Sequence, residues 1–249
     1  MANKKKSNSV IAICIQEPVE DGTQMDLGAI KGDDLRFLHQ AFITDTVRNA
    51  LKVPAADIRL YYIDESERKR LVKIVTEYLT EKSGQGKGDS LKDRFSSHSM
   101  ARERWGIRIE KVFKECFDNG YRNVIVIGSR TPTYNAKMMQ ATLRMLEKSD
   151  VVFGPTPEGR YYAIGMSGAC HIDLSDFDWK SPKIYSEVAN AFTEKGLSWS
   201  ELEIWYAIES SDELELMARD INQYRFEGDE TTARETELVM ERFISKLGS

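Results

Sequence analysis

"NVIVIGSRTPT", residues 123–133, is the stretch that decides the fold. Val124 to Ile127 form an unbroken apolar run that ends in Gly128-Ser129, with Pro132 close behind. A short apolar run bounded by turn residues reads as a strand buried on both faces. In α/β sheets the turn after such a strand sits at the ligand-bearing carboxyl edge. The residue at the tip is Arg130, where a metal- and phosphate-handling site would carry an acid.

Outward from this strand, apolar runs alternate with helical periodicity, the pattern of a parallel sheet layered with helices. Upstream, "SVIAICI" (9–15) and "IRLYYI" (58–63) read as strands. Between them "LRFLHQAFITDTVRNAL" (35–51) reads as a helix with Leu35, Leu38, Phe42, Val47 and Leu51 near one face, and "ESERKRLVKIVTEYLTE" (65–81) follows as a charged helix. "KSGQGKGDS" (82–90) is expected to be a surface loop, because it lacks the spacing of a phosphate-binding glycine loop. Residues 93–120 are expected to contain a long helix ending at Gly120, with "ARERW" (101–105) on its solvated face.

Downstream, "YNAKMMQATLRMLEKS" (134–149) reads as a helix capped near Asn135. "DVVFGP" (150–155) and "YYAIGMSG" (161–168) read as strands that pair across "TPEGR". Helices over 181–196, 211–224 and about 235–247, with a strand around "LEIWYAI" (202–208), complete the pattern. The 249 residues are expected to form a single α/β domain over 1–249, with a C-terminal helical extension from about 225. That last helix either packs on the domain or offers an apolar stripe to a second copy, so a homodimer is an open expectation.

The net charge of −5 argues against a nucleic-acid partner, which needs a basic face to replace counterions. No run approaches the ~20 apolar residues of a membrane span, and the apolar run at 10–15 is too short for a signal sequence. Cys14, Cys116 and Cys170 lack metal or redox spacing and read as buried reduced thiols, so a cytoplasmic location is expected. His39, His98 and His171 show no metal-ligand spacing.

The order "IGS-x-x-PT … DVVFGP … EG-x-YY-x-IG" resembles a bacterial family of GT-A-like nucleotide-diphospho-sugar transferases or glycosyltransferases. These are distant relatives of the molybdenum-cofactor and coenzyme F420 nucleotidyltransferases. "EPV" (17–19), "AF-x-x-DT" (41–46), "W-x-SP" (179–182) and "SSDEL" (210–214) extend the resemblance to about Asp220. It implies a three-layer GT-A-like α/β fold with a mostly parallel central sheet, binding a nucleotide-sugar or other anionic small molecule at the strand ends. On that resemblance Gly128, Ser129, Arg130, Thr131, Arg160, Tyr161, Tyr162 and Trp179 are candidate substrate-binding residues. By strand alternation one ring of the Tyr161-Tyr162 pair is expected in the core and the other outward. Trp199 and Trp205 are expected to fill or cover the core.

The departures fall together on the metal and phosphate motifs. The family's acid after Gly-Ser is Arg130, and a guanidinium cannot ligate a cation. The family's basic first loop, "KAPVPGRVKTRL", is "QEPVEDGTQMDL" (16–27), with Glu17, Glu20, Asp21 and Asp26. "DGGYY" is "EGRYY", with Glu158 and Arg160, and "DVDTPEDL" is "AIESSDEL", leaving Glu209 as its one remaining ligand. No metal site and no cofactor are expected; Mg²⁺ or Mn²⁺ would require Glu209 and other acids to rescue the site.

These changes imply a degraded metal-diphosphate site in a non-catalytic binding or scaffolding relative, with Arg130 and Arg160 paired to Glu17, Asp21 or Asp26. The alternative is a metal-independent glycosyl- or nucleotidyltransferase. In it Arg130 and Arg160 hold the donor phosphates and Glu158 is the catalytic base. An enzyme for a different, cationic or sugar-bearing substrate is the third reading.

Overall fold

The computed structural model describes residues 7–16, 19–20, 23–54, 56–83, 93–168, 170 and 172–247; for 19–20, 23–24, 82–83 and 244–247 only the backbone is described. Strands β1 (Ser9–Cys14), β4 (Ala56–Tyr62), β5 (Phe95–Ser99), β6 (Asn123–Gly128), β7 (Val151–Pro155), β8 (Tyr161–Ser167) and β9 (Trp199–Glu201) form one sheet in the order β5-β4-β1-β6-β8-β7-β9. β2 (Val19–Glu20) and β3 (Thr23–Gln24) pair antiparallel as a separate two-stranded sheet in the first loop. Every neighbouring pair of the large sheet is parallel except the two that involve β8.

Helices cover both faces, which is why β1 and β6 are apolar at successive positions rather than alternating, while β4 carries the buried charged residues Asp57 and Arg59 among its apolar ones. Ile11 and Ile13 of β1 face a core built with α1 (Gly32–Leu51), α2 (Glu65–Ser83) and α4 (Ala136–Leu146). Val10, Ala12 and Cys14 face the opposite core with α3 (Trp105–Asp118) and α5 (Ile184–Glu194). This is the three-layer, mostly parallel arrangement expected from the sequence. A third cluster joins Leu35, Leu38 and Phe42 of α1 to Met217 and Ile221 of α6 (Ser211–Phe226). The apolar stripe of α1 is therefore shared, its first half going to this cluster and Val47 and Leu51 to the sheet.

Two expectations need correction. Residues 93–120 hold a strand as well as a helix: β5 pairs parallel with β4 and α3 begins only at Trp105. "FSSHS" has no apolar run because it is an edge strand, half-buried along most of its length, and "ARERW" leads into α3 instead of forming its face. The last strand is Trp199–Glu201, and 202–208 continues as extended chain tied by single bonds, Leu202 N to Phe153 O (2.9 Å) and Trp205 N to Pro155 O (3.1 Å). "GQGKGDS" lies outside the described residues.

The ends of the helices follow their sequence signals. Gly120 ends α3 at φ +83°, where a side chain is disfavoured. Asn135 caps α4 by accepting from the Lys137 and Met138 amides, and Ser210 and Glu213 form a capping box on α6. The final helix, α7 (Arg234–Leu247), packs along α1, with Val239, Met240 and Phe243 against the third cluster. Its first turn is held from the side, because buried Asp45 of α1 accepts the Glu235 and Thr236 amides at 3.1 and 2.8 Å.

Burial pushes the Asp45 carboxyl up to about 6, against the bonds from Thr236 and Glu235 that favour its anion. The folded state therefore binds this proton more tightly than the unfolded chain does. The Asp45 contribution to stability is full below the ordinary carboxylate range and is lost as pH rises through about 6. Urea midpoints measured from pH 4 to 7 are expected to show this loss in the native protein. Asp45→Asn, which does not titrate, is expected to lack that component.

Candidate anion-binding cleft

β1 has parallel neighbours on both sides, and the chain leaves it in opposite directions after β1 and β6. That reversal opens a crevice at the carboxyl ends of the strands. β1, β4 and β6 end level there, with Cys14 opposite both Tyr61 and Gly128. Because β8 is antiparallel, its first residues arrive at the same edge, Ala163 lying opposite Ile127. Arg160 thus comes beside Arg130 although thirty positions separate them in the chain. The main chain of 202–209 passes along the rim, and the Ile208 amide donates to Arg130 O at 2.8 Å, which brings Glu209 to both arginines.

The cleft is a cavity of about 90 Å³ lined by Gly128, Arg130 and Thr131 after β6, and by Thr156, Glu158, Arg160, Tyr161 and Tyr162 from the β7–β8 turn. Gln16, Trp105, Arg108, Trp179, Lys180, Ala207 and Glu209 complete it. Among the described lining residues, four cationic side chains face two carboxylates, a net charge of +2. Arg160 forms a close ion pair with Glu209, and Arg130 approaches the same carboxylate to 3.8 Å, a charge contact beyond hydrogen-bond length. Arg130 is buried, while Arg160 and Glu209 are part-exposed.

Of the candidate residues, Gly128, Arg130, Thr131, Glu158, Arg160, Tyr161, Tyr162 and Trp179 come together in this lining. Ser129 does not. Its buried hydroxyl turns back to the end of β1, where it accepts the Gln16 amide at 3.2 Å and lies 3.3 Å from His39 Nε2. Burial, then Arg130 and Arg70, lower the His39 imidazole to about 3, which keeps it neutral beneath the cleft. A Cβ on Gly128 would lie 2.5 Å from the Gln16 side-chain oxygen, the far end of a flexible side chain that can swing aside.

The arginines are not paired to Asp26. Its carboxylate accepts the Gly28 amide at 3.1 Å within its own loop, and Glu209 takes both guanidiniums in its place. Glu17 and Asp21 lie outside the described residues. Neither tyrosine points to open solvent: with both faces of the sheet covered, Tyr162 enters the α1–α2–α4 core and Tyr161 packs against the α3–α5 core. The Tyr162 hydroxyl donates to Glu203 O at 3.0 Å, and Trp105 Nε1 donates to the Tyr161 hydroxyl. Burial pushes both phenols far above their ordinary range, so they act as neutral groups. Trp199 packs against Phe192, and Trp205 stacks on Tyr206.

The Thr156–Arg160 loop is a three-residue hairpin connection. The Gly159 amide donates to Thr156 O (3.1 Å), the Thr156 amide to Arg160 O (3.0 Å), and Gly159 takes φ +75°. The turn is buttressed by "W-x-SP": a Cβ on Gly159 would lie 2.2 Å from Pro182 O, and the Tyr185 amide donates to Gly159 O. Trp179 itself is anchored by Nε1 donating to Leu174 O at 2.8 Å and meets Tyr161 edge-on at 4.7 Å.

Sequence reasoning missed Arg108 and Trp105. Both lie in the first turns of α3, with the buried Arg108 guanidinium 4.6 Å from the Trp105 ring. The available signal was an arginine set between Ile107 and Ile109, one helical turn from Trp105 and Val112. A second cavity of about 470 Å³ adjoins the cleft across Trp105, Trp179 and Lys180, bordered also by Phe177, Asp176 and Asp178.

Among the described residues no group of three or more His, Cys, Asp or Glu side chains is placed to hold a metal ion. Arg130 and Arg160 occupy the surroundings of Glu209, so that carboxylate does not fit the role of a metal ligand. Cys14, Cys116 and Cys170 are buried and form no disulfide, and no helix is long and apolar enough to cross a membrane among the described residues.

A mostly parallel seven-stranded sheet with its cleft at the point of strand reversal defines a GT-A-like, nucleotide-diphospho-sugar-transferase-like fold. The chain belongs to the family described as uncharacterized proteins conserved in bacteria (DUF2064), whose model matches residues 46–181. It is similar in structure to a protein from Desulfovibrio desulfuricans G20 named as a candidate nucleotide-diphospho-sugar transferase. That match has a TM-score of 0.73 at 21% identity and covers 95% of this chain and 98% of the other. It is more distantly similar to 4-diphosphocytidyl-2C-methyl-D-erythritol synthase from Anaerococcus prevotii DSM 20548, with a TM-score of 0.50 at 12% identity, covering 87% of this chain and 96% of that one. No curated protein matches the chain.

Proposed function

We propose that this protein is a metal-independent anion-binding relative of nucleotide-diphospho-sugar transferases, keeping their ligand cleft without catalysing transfer. The observation that carries this reading is the convergence of Arg108, Arg130, Arg160 and Lys180 on the strand-reversal crevice, against two carboxylates among the described lining residues. Positive charge is what a phosphate-bearing ligand requires there, and arginine forks supply it without a cation. The adjoining aromatic-walled cavity offers room for the uncharged part of such a ligand. The acidic first loop fits binding without turnover, since it lacks the basic groups that would stabilise a leaving diphosphate.

Sodium pyrophosphate, UDP-glucose and GDP-mannose are expected to raise the melting temperature equally with Mn²⁺ and with EDTA. At a hundredfold excess over Kd the gain is about 2.7 kcal/mol, or roughly 5–10 °C for a chain of this size. Absence of any shift at about millimolar ligand, or a shift seen only with Mn²⁺, would sink the reading.

Glu158 favours a second reading, because it is exposed yet lines the same cleft. In that reading it is the general base of a metal-independent transfer. Release of UDP from UDP-glucose, abolished by Glu158→Gln, would support transfer over binding.

A further inference from the structure

We infer that Glu209 is a built-in competing anion that sets the charge threshold of the cleft, admitting a diphosphate and rejecting a singly charged anion. This deepens the anion-binding reading and rests on it. The Glu209 carboxylate contacts both Arg130 and Arg160, so the chain itself already supplies a negative charge shared by the two arginines. The remaining cavity of about 90 Å³ is far below the several hundred Å³ of ordinary ligand pockets.

The main chain that carries this carboxylate is pinned on three sides. Glu209 O accepts the Asp26 amide at 2.8 Å, and the Glu209 amide donates to Glu213 Oε2 at 3.3 Å. The preceding Ile208 amide is bonded to Arg130 O. Departure of the carboxylate is therefore a side-chain rotation, not a loop opening. Its part-exposed position gives it solvent to rotate into.

The selectivity follows from charge counting. A monoanion that displaces Glu209 exchanges one negative charge on the arginine pair for another and still has to leave water, so it gains little. A diphosphate brings at least two more closely spaced charges. It engages Arg130 and Arg160 together, with Arg108 and Lys180 in the same lining. The ligand class assigned to the cleft is thus a polyvalent, diphosphate-type anion.

The test is calorimetric titration of the native protein and Glu209→Gln with sodium pyrophosphate and with dimethyl phosphate, a strict monoanion. Glutamine keeps the shape and an acceptor oxygen but removes the competing charge. The native protein is expected to bind pyrophosphate and no measurable dimethyl phosphate. In Glu209→Gln the monoanion is expected to gain at least about tenfold, and the preference for pyrophosphate to shrink by a similar factor.

If the native protein binds pyrophosphate and Glu209→Gln shows the same or weaker affinity for both anions, the role of Glu209 is wrong and the anion-binding reading stands. If neither protein binds either anion, both fall. Should Glu209→Gln fail to fold, Glu209→Asp retains the charge but withdraws it by one methylene, and the same change in preference is expected at smaller size. An unchanged preference in that variant overturns the inference equally.

Discussion

Arg130→Ala is expected to weaken pyrophosphate binding by roughly 10- to 100-fold, the cost of about 1.5–3 kcal/mol for one charge-assisted hydrogen-bonding group. Arg130 is the most deeply buried member of the Arg130–Glu209–Arg160 group, at 3% exposure. Water therefore screens its interaction with a bound anion less than it screens the part-exposed Arg160. Arg130→Lys keeps the charge but loses the planar fork, so its affinity is expected to fall between the other two. Calorimetry reads the affinities, and a urea transition confirms that each variant is folded. Equal affinity in native protein and Arg130→Ala would remove Arg130 from the site.

The second large effect is expected at Gly159. Gly159→Ala is predicted to cost about 2–5 kcal/mol, combining about 1–2 kcal/mol for a left-handed alanine with about 1–3 kcal/mol for overpacking. The nearest atom is a backbone oxygen, Pro182 O at 2.2 Å from the added Cβ, so no side chain can simply swing aside. The turn or the "W-x-SP" segment must move, and either shift carries Arg160 and Trp179 with it. The expected result is a melting temperature lower by roughly 5–15 °C together with loss of the pyrophosphate-induced shift. A variant that melts normally and binds normally would show that the contact between the two turns is not structural.

The sequence made most of the scaffold readable because the buried strands announce themselves. "NVIVIG", "SVIAIC" and "VVFGP" are too apolar and too short to be anything but strands covered on both faces. The turn residues were equally legible, since "TPEGR" carries a proline, a glycine and the spacing of a three-residue hairpin. β5 escaped because an edge strand, paired on one side only and half-buried, needs no apolar run. The rim segment 202–208 reads as a strand because "LEIWYAI" is rich in apolar and aromatic residues, while its main chain finds only scattered partners.

For the cleft, the sequence by itself determined the residue types: arginines at 130 and 160, an acidic first loop, and a family resemblance broken at its metal positions. It could not determine who pairs with whom. Ion pairs depend on distances of a few ångströms between groups far apart in the chain, and those distances are fixed only when strands register. Antiparallel β8 delivers Arg160 to Arg130, the bond from Ile208 to Arg130 delivers Glu209 to both, and the start of α3 delivers Arg108. The tertiary structure alone decided that, among the described residues, the acid reaching both arginines is Glu209, from the far end of the fold, and not Asp26 of the first loop.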